Sequence, residues 1–348
     1  MAREPKTHTR GTQSIARNAQ ASPENCVHLR YHTPCIRRDA PAQMLPHGIA
    51  IGTGITALTV SALIAGYFRL RRRRAFPFYG WLGFAALVCA EVLMFRHIEP
   101  IATYFTPIAW SAYILIADGA VLALSGRSRL NDAPLVLARI ALLSIPLWLI
   151  FEAYNLRLKN WTYVGVPHEW AAALLGYAWS FATIFPGIFE TSDLIQAILP
   201  PLPGRPWQVS RRAEIILMVA GAACLIVPVA LPPRIGAYLF GLVWIGFVLL
   251  LDPLNRRLGL PSLLGDFAEG FRRRAYGFFL SGWVCGWLWE FWNYWAAAKW
   301  HYTFPLMQHE KIFEMPAVGF LGFLPFALEC FCMYVTAAWL AGWVKRVK

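Results

Sequence analysis

From Gly48 onward the chain alternates apolar, uncharged runs with short charged loops. The runs are about 20 residues long, the length that a hydrocarbon layer of roughly 30 Å demands of an α-helix. Nine spans follow, at about 48–68, 79–96, 101–124, 134–156, 170–198, 214–232, 235–252, 276–297 and 316–344. The pattern predicts an all-α, polytopic integral membrane helical bundle. The first span is expected to remain in the protein, because its positive charges follow it and no basic n-region of a cleavable leader precedes it.

Residues 1–47 break the pattern. They hold seven of the Lys and Arg, four of the eight His and no long apolar run, and so read as a basic, disordered tail. Cys26 and Cys35 are expected to have no role in it. Met44 stands directly before the first span and is an alternative initiator.

Composition agrees with the periodicity. Of the 348 residues, 57 % are hydrophobic and only 15 % charged, where soluble domains run at about 45–50 % and about 25 %. Disorder, collagen-like repeats, a disulfide scaffold and an ordinary two-domain soluble enzyme are excluded, since no water-facing surface accommodates so much apolar side chain. The formal charge of +13 comes from 32 Lys+Arg against 19 Asp+Glu. It is mostly a topology signal. Arg69, Arg71–Arg74, Arg127, Arg129, Arg205, Arg211, Arg212, Arg256, Arg257, Arg272–Arg274, Lys345, Arg346 and Lys348 fall on one side of the predicted membrane. Arg96, Arg157, Lys159, Arg234, Lys299 and Lys311 fall on the other. The excess predicts cytoplasmic arginine loops and a cytoplasmic C-terminus in a plasma (inner) membrane, and explains the charge without nucleic acid.

Residues 79–200 and 211–348 read as two copies of one four-helix design, after the extra helix and arginine cluster of residues 48–74. Trp110 and Asp118 recur as Trp244 and Asp252, an offset of 134. Glu152 and Asn155 recur as Glu290 and Asn293, offset 138. Trp161, Tyr163, Phe181, Pro186 and Glu190 recur as Trp300, Tyr302, Phe320, Pro325 and Glu329, offset 139. Four spans per copy make the repeats parallel, related by a pseudo-two-fold axis along the membrane normal. Gly52-Thr-Gly54-Ile-Thr-Ala57 imitates a dinucleotide loop, but it lies inside an apolar run and no acid follows it. It is expected to be helix packing.

Acids in hydrocarbon mark candidate sites. Asp118 and Asp252, at helix ends, are expected to be neutralised by arginines of the next loop. Glu152, Glu190, Glu290 and Glu329 are the candidate catalytic acids, expected to face one cavity from the outer half of the membrane to its midplane. Asn155 and Asn293, three residues after their glutamates, are expected to hydrogen-bond the carboxyls. The blander alternative is that all these groups pair to hold helices together. Trp161, Trp300, Tyr302, Trp287 and Tyr294 complete the candidate substrate site, aromatic faces being suited to a cation, although an aromatic belt at the membrane boundary would account for most of the tryptophans of the eighth span. Gly282-x-x-x-Gly286 suggests a close helix contact. His168 and His309 lie in corresponding loops without zinc-ligand spacing, so neither a metal nor another cofactor is called for.

The order Leu-Leu-Leu-Asp252, Trp289-Glu290, Trp300-His-Tyr302 and Leu324-Pro325 with Glu329 resembles the heterodimeric-type membrane lycopene cyclases, whose domain is itself duplicated. The first copy offers Asp118, Phe151-Glu152, Trp161-Thr-Tyr163 and Phe185-Pro186 with Glu190. The chain departs from that family in its single Glu four residues after the proline, where the family has an acidic pair, and in its four spans per copy. The resemblance implies acid-initiated cyclisation or isomerisation of an isoprenoid or carotenoid-like lipid, with Glu290 and Glu329 as the leading acids. A proton- or cation-coupled transporter and a non-catalytic membrane scaffold are the alternatives. In each case the partner is a membrane lipid or another hydrophobic molecule.

Overall fold

The computed structural model describes residues 47–344. The basic tail, with Met44, Cys26 and Cys35, and the terminal Lys345, Arg346 and Lys348 lie outside the described residues. The protein is an all-α polytopic membrane bundle. In chain order its elements are α1 (Gly48–Arg69), α2 (Phe78–Phe95), α3 (Phe105–Ser125), α4 (Arg129–Asp132), α5 (Pro134–Leu158), β1 (Trp161–Val164), α6 (Trp170–Ile198), α7 (Arg211–Ala230) and α8 (Pro233–Gly236). They continue with α9 (Phe240–Arg257), α10 (Leu263–Ala268), α11 (Arg273–Trp295), β2 (Lys299–Tyr302), β3 (Lys311–Ile312), β4 (Met315–Pro316) and α12 (Phe320–Leu340).

Among the described residues nine helices are long, and they coincide with the nine predicted spans within a few residues. Eight of them are apolar enough to cross a membrane. The ninth, α11, is rich in Trp and Tyr, whose polar N–H and O–H groups lower its hydropathy although the rings themselves bury readily. It is a central helix, packed against α6, α12 and α1. Trp287, Trp289 and Trp292 are buried in the bundle rather than set in a belt at the membrane boundary.

Helix contacts recur between the halves. The pair α2–α3 is matched by α7–α9, α3–α6 by α9–α12, and α5–α6 by α11–α12. The contacts α6–α11 and α5–α12 are among those that join the halves. Gly282 and Gly286 make the α11–α12 contact so close that a β-carbon at either position would collide with Phe323. Such small residues let membrane helices pack by van der Waals contact. Helix α1 lies against α11 and β3, with Gly52 seated on the Phe313 ring.

The loop after α3 and the loop after α9 are built alike. Ser128 caps α4 and Ser262 caps α10, each accepting a backbone N–H three residues on. The aspartate ending the preceding helix takes further donors of the same turn. Asp118 accepts from Leu130 N at 2.9 Å, Ser128 Oγ at 2.7 Å and Tyr79 Oη at 2.6 Å. Asp252 accepts from Leu263 N at 2.6 Å and Leu264 N at 2.9 Å. The arginines expected to neutralise these aspartates do not bond them. Free N–H groups at a short helix start are nearer and already fixed in direction.

Strands β1 and β2 form a two-stranded antiparallel ribbon between the halves, with Trp161 opposite Tyr302 and Tyr163 opposite Trp300. The asparagines of α5 and α11 fasten it. Asn155 accepts from Asn160 N and Trp161 N and donates to Trp161 O, at 2.8, 3.1 and 2.9 Å. Asn293 accepts from Trp300 N at 3.0 Å and donates to Trp300 O at 2.9 Å. The expected Glu–Asn bonds are therefore replaced. A strand start carries a donor and an acceptor side by side, which matches both ends of an amide.

Candidate functional site

The ribbon forms one wall of a cavity of about 140 Å³. Helices α3, α5, α6, α9, α11 and α12 supply the other walls. Six tryptophans border it, Trp110, Trp148, Trp161, Trp244, Trp289 and Trp300, together with Tyr163, Tyr302 and several phenylalanines. Trp110 packs on Trp289 with ring centroids 4.8 Å apart, so the floor is a fixed aromatic surface. An apolar cavity of roughly 150 Å³ accommodates benzene. The space therefore suits one six-membered ring or the end of a chain.

Of the residues expected to bind substrate, Trp161, Trp300 and Tyr302 line the cavity. Asn155 and Asn293 do not, being occupied with the ribbon. Trp287 is also elsewhere, stacked on Phe320 at 4.0 Å, as is Tyr294, which packs on Phe313 and Trp295. Tyr163, Trp110, Trp148, Trp244 and Trp289 are cavity residues that the expected site omitted. Tyr163, Trp110 and Trp244 are members of the pairs that recur along the sequence.

None of the four glutamates lines the cavity, and they do not converge. Glu152 and Glu290 stand one residue behind it, each bonded to a cavity tyrosine. Tyr163 donates to Glu152 at 2.5 Å and Tyr302 to Glu290 at 2.8 Å. Glu152 also accepts from Trp148 Nε1 at 3.0 Å and Trp161 Nε1 at 3.2 Å. Glu290 has only its tyrosine, its second oxygen has no partner, and the Trp300 indole donates to Tyr302 Oη instead, at 2.8 Å.

Glu190 belongs to a different place. It is paired with Arg129 at 3.0 Å, and the same guanidinium reaches Asp193 at 2.9 Å. The loop bearing Arg129 descends onto α6, so Glu190 lies toward the arginine-loop end of the bundle rather than with the ribbon. Glu329 is fully buried on α12, and neither of its oxygens has a hydrogen-bond partner. Arg157, a conceivable partner for the acids, instead donates to Val229 O and Leu231 O.

A charged group borders the second strand of the ribbon. Lys299, a cavity residue, pairs with Glu314 at 3.0 Å, and His301 Nδ1 meets the other Glu314 oxygen at 2.8 Å. Lys311 is buried and donates to Tyr302 O at 3.2 Å. Burial holds its amine below the ordinary lysine range, against the opposing pull of Glu314 and Glu290. Among the described residues no three His, Cys, Asp or Glu side chains converge as a metal site.

No protein-family model matches the chain, and comparisons with curated proteins and with solved structures return no match.

Proposed function

We propose that this membrane protein is an enzyme that rearranges an isoprenoid lipid by proton transfer, using the aromatic cavity and the two Glu–Tyr couples that border it. The observation carrying the reading is the placement of Tyr163 and Tyr302, on paired strands, between the cavity and Glu152 and Glu290. Geometry favours a division of labour. Glu152 has three donors, the complement of a carboxylate, which only accepts. Glu290 has one donor and a free oxygen in a dry site, which suits a carboxylic acid that still holds its proton.

In the proposed reaction the Tyr302 hydroxyl protonates an alkene carbon of the bound chain end, and Glu290 returns a proton to the phenolate. The resulting carbocation faces indole rings, which stabilise positive charge through their π-faces. Loss of a proton from a carbon beside the cation, to the Tyr163–Glu152 couple, re-forms an alkene in an isomerised or cyclised skeleton. No oxidant or reductant is consumed, and protons shuttling between the two couples restore the enzyme. Glu329 and Glu190, named with Glu290 and Glu152 from sequence, have no part in this scheme.

The same reading takes residues 79–200 and 211–348 as two copies of one design, supported by the recurring serine caps, aspartate–backbone bonds and Asn–Trp clamps. It also sets the arginine loops and the C-terminus in the cytoplasm, on the charge count of the loops.

The test is solvent isotope incorporation. Purified protein incubated with membrane isoprenoid extract in D₂O should yield products one mass unit heavier for each protonation. Glu290→Gln should lower that incorporation by about 10²-fold or more, the usual contribution of a general acid. Flux of an unaltered solute across liposomes, with no deuterium gained, would instead identify a carrier.

A further inference from the structure

The arginines at the loop ends of the bundle fall into two groups. Arg129, Arg256, Arg257 and Arg274 each pair with a carboxylate. Arg272 and Arg273 donate to the backbone carbonyls of Arg205 and Leu199. The end of α1 and its link to α2 are different. Five of the six residues 69–74 are arginine, and all five are exposed. Among the described residues none of the five makes an ion pair, and their one side-chain hydrogen bond runs from Arg73 to Ser125 O at 3.4 Å. Arg73 also lies beside Gly126, which puts the exposed Arg127 in the same patch.

The chain supplies little to compensate this charge. No acid occurs between Gly48 and Ala90, and Glu91 lies more than three turns along α2 from Tyr79. Asp118 is buried and takes three donors, and Asp132 accepts from Ser128 N at 2.8 Å. The patch is nevertheless held in place. Arg73 N and Arg74 N donate to Ala123 O at 2.7 and 3.2 Å, which fixes the link against the end of α3. Its level is that of a membrane boundary, since it joins two helices apolar enough to cross a membrane. The Arg72 guanidinium lies over the rings of Tyr67 and Phe68, 5.9 and 5.8 Å from their centroids. Phe68 is 66 % exposed and Trp81 60 %, and Phe76 packs between Tyr67 and Trp81. Exposed rings beside basic side chains suit the layer where acyl chains meet headgroups.

We propose that this patch binds anionic phospholipid headgroups, with phosphate oxygens against the guanidiniums of Arg71, Arg72 and Arg74 and acyl chains along Phe68 and Trp81. A topology signal alone requires positive charge on one side, which paired arginines such as Arg256 also provide. It does not require six guanidiniums gathered away from every carboxylate. Gathered like charges repel, and an anion among them offsets that repulsion. Guanidinium is planar and presents parallel N–H groups that match two phosphate oxygens at once. A soluble anion would leave the exposed rings without a role, whereas a lipid uses both parts of the surface. The proposal concerns a different end of the bundle from the ribbon and does not depend on the chemistry of the cavity.

The experiment offers the detergent-solubilised full chain an equimolar mixture of dioleoyl phosphatidylglycerol and dioleoyl phosphatidylcholine, and counts bound lipid by native mass spectrometry. A basic side chain near an anionic surface contributes about fivefold, so the phosphatidylglycerol should be retained at least about tenfold over the phosphatidylcholine. Combining Arg71→Gln, Arg72→Gln and Arg74→Gln should bring that preference within about threefold. Lysine at the same three positions should restore most of it, which separates lost charge from lost folding. Combining Arg205→Gln, Arg211→Gln and Arg212→Gln removes as much charge elsewhere and should leave the preference intact. Equal retention of the two lipids by the parent protein would overturn the proposal. So would an unchanged preference in the first glutamine variant, an equal loss in both glutamine variants, or no recovery with lysine. Excess inorganic phosphate at matched ionic strength should not displace the lipid; displacement would assign the patch to a free anion and overturn the proposal as well.

Discussion

The two halves of the bundle repeat their supports and differ at their acids. In the first half Glu152 has three donors and Glu190 has Arg129. In the second half Glu290 has one donor and Glu329 has none. Two sequence differences accompany this. At the offset of 138, Trp148 is replaced by Gly286, which α11 needs for its close approach to Phe323. At the offset of 134, Arg129 is replaced by Leu263. The lesson is that one scaffold can hold a satisfied acid and a deprived one at matching places, by changing residues that are not themselves acids.

The sharpest way to break this comparison is to remove the arginine. Arg129→Met strands Glu190 and Asp193 without their cation, and should destabilise the protein by about 3–5 kcal/mol. The matching change in the other half, Leu263→Met, should cost less than about 1.5 kcal/mol as a volume-conserving swap. Denaturant unfolding in detergent, followed by tryptophan fluorescence, measures both. Equal losses would mean that Arg129 contributes packing and no charge compensation.

Replacing the acids themselves gives a smaller effect of opposite sign in the two halves. Glu329→Met removes a buried polar group that nothing satisfies and should stabilise by about 1–3 kcal/mol. Glu190→Met leaves Arg129 with one partner instead of two and should destabilise. A loss on Glu329→Met would reveal that this carboxyl has a partner after all.

The smallest effect concerns the extra charges of the second strand. Lys311 is held below its ordinary range in the folded protein, so between the folded value and about 10.4 the unfolded chain binds more protons than the folded one. Stability should therefore rise as pH climbs through that window. Lys311→Met should flatten the rise, as seen in melting temperature against pH. A rise of unchanged slope would assign it to other groups.

How much of this was legible in the chain depends on range. The nine helices were legible because apolar run length is a local property, and even α11, whose tryptophans lower its hydropathy, read as one long run broken by a single acid, Glu290. The acids were legible as exceptions within those runs. Their partners were not. Asn155 lies within a turn of Glu152 yet binds the strand beyond it, and Arg129 reaches Glu190 across 61 positions. Nor did the pattern distinguish Trp287, stacked on Phe320, from Trp289, two residues on and at the cavity, because both are aromatic and both are buried. A comparison of non-acidic residues at the repeat offsets would have found Gly286 and Leu263, and with them the difference between the halves.

The ribbon has a consequence for biosynthesis. Val164 must wait for Lys299, 135 positions later, before it has a strand to pair with. At roughly 5–20 residues per second of translation, that is on the order of ten seconds. During this interval β1 presents an open edge, and unpaired edges invite pairing with other chains. The Asn155 clamp, complete as soon as Trp161 has been made, gives the nascent segment an attachment of its own until its partner strand arrives.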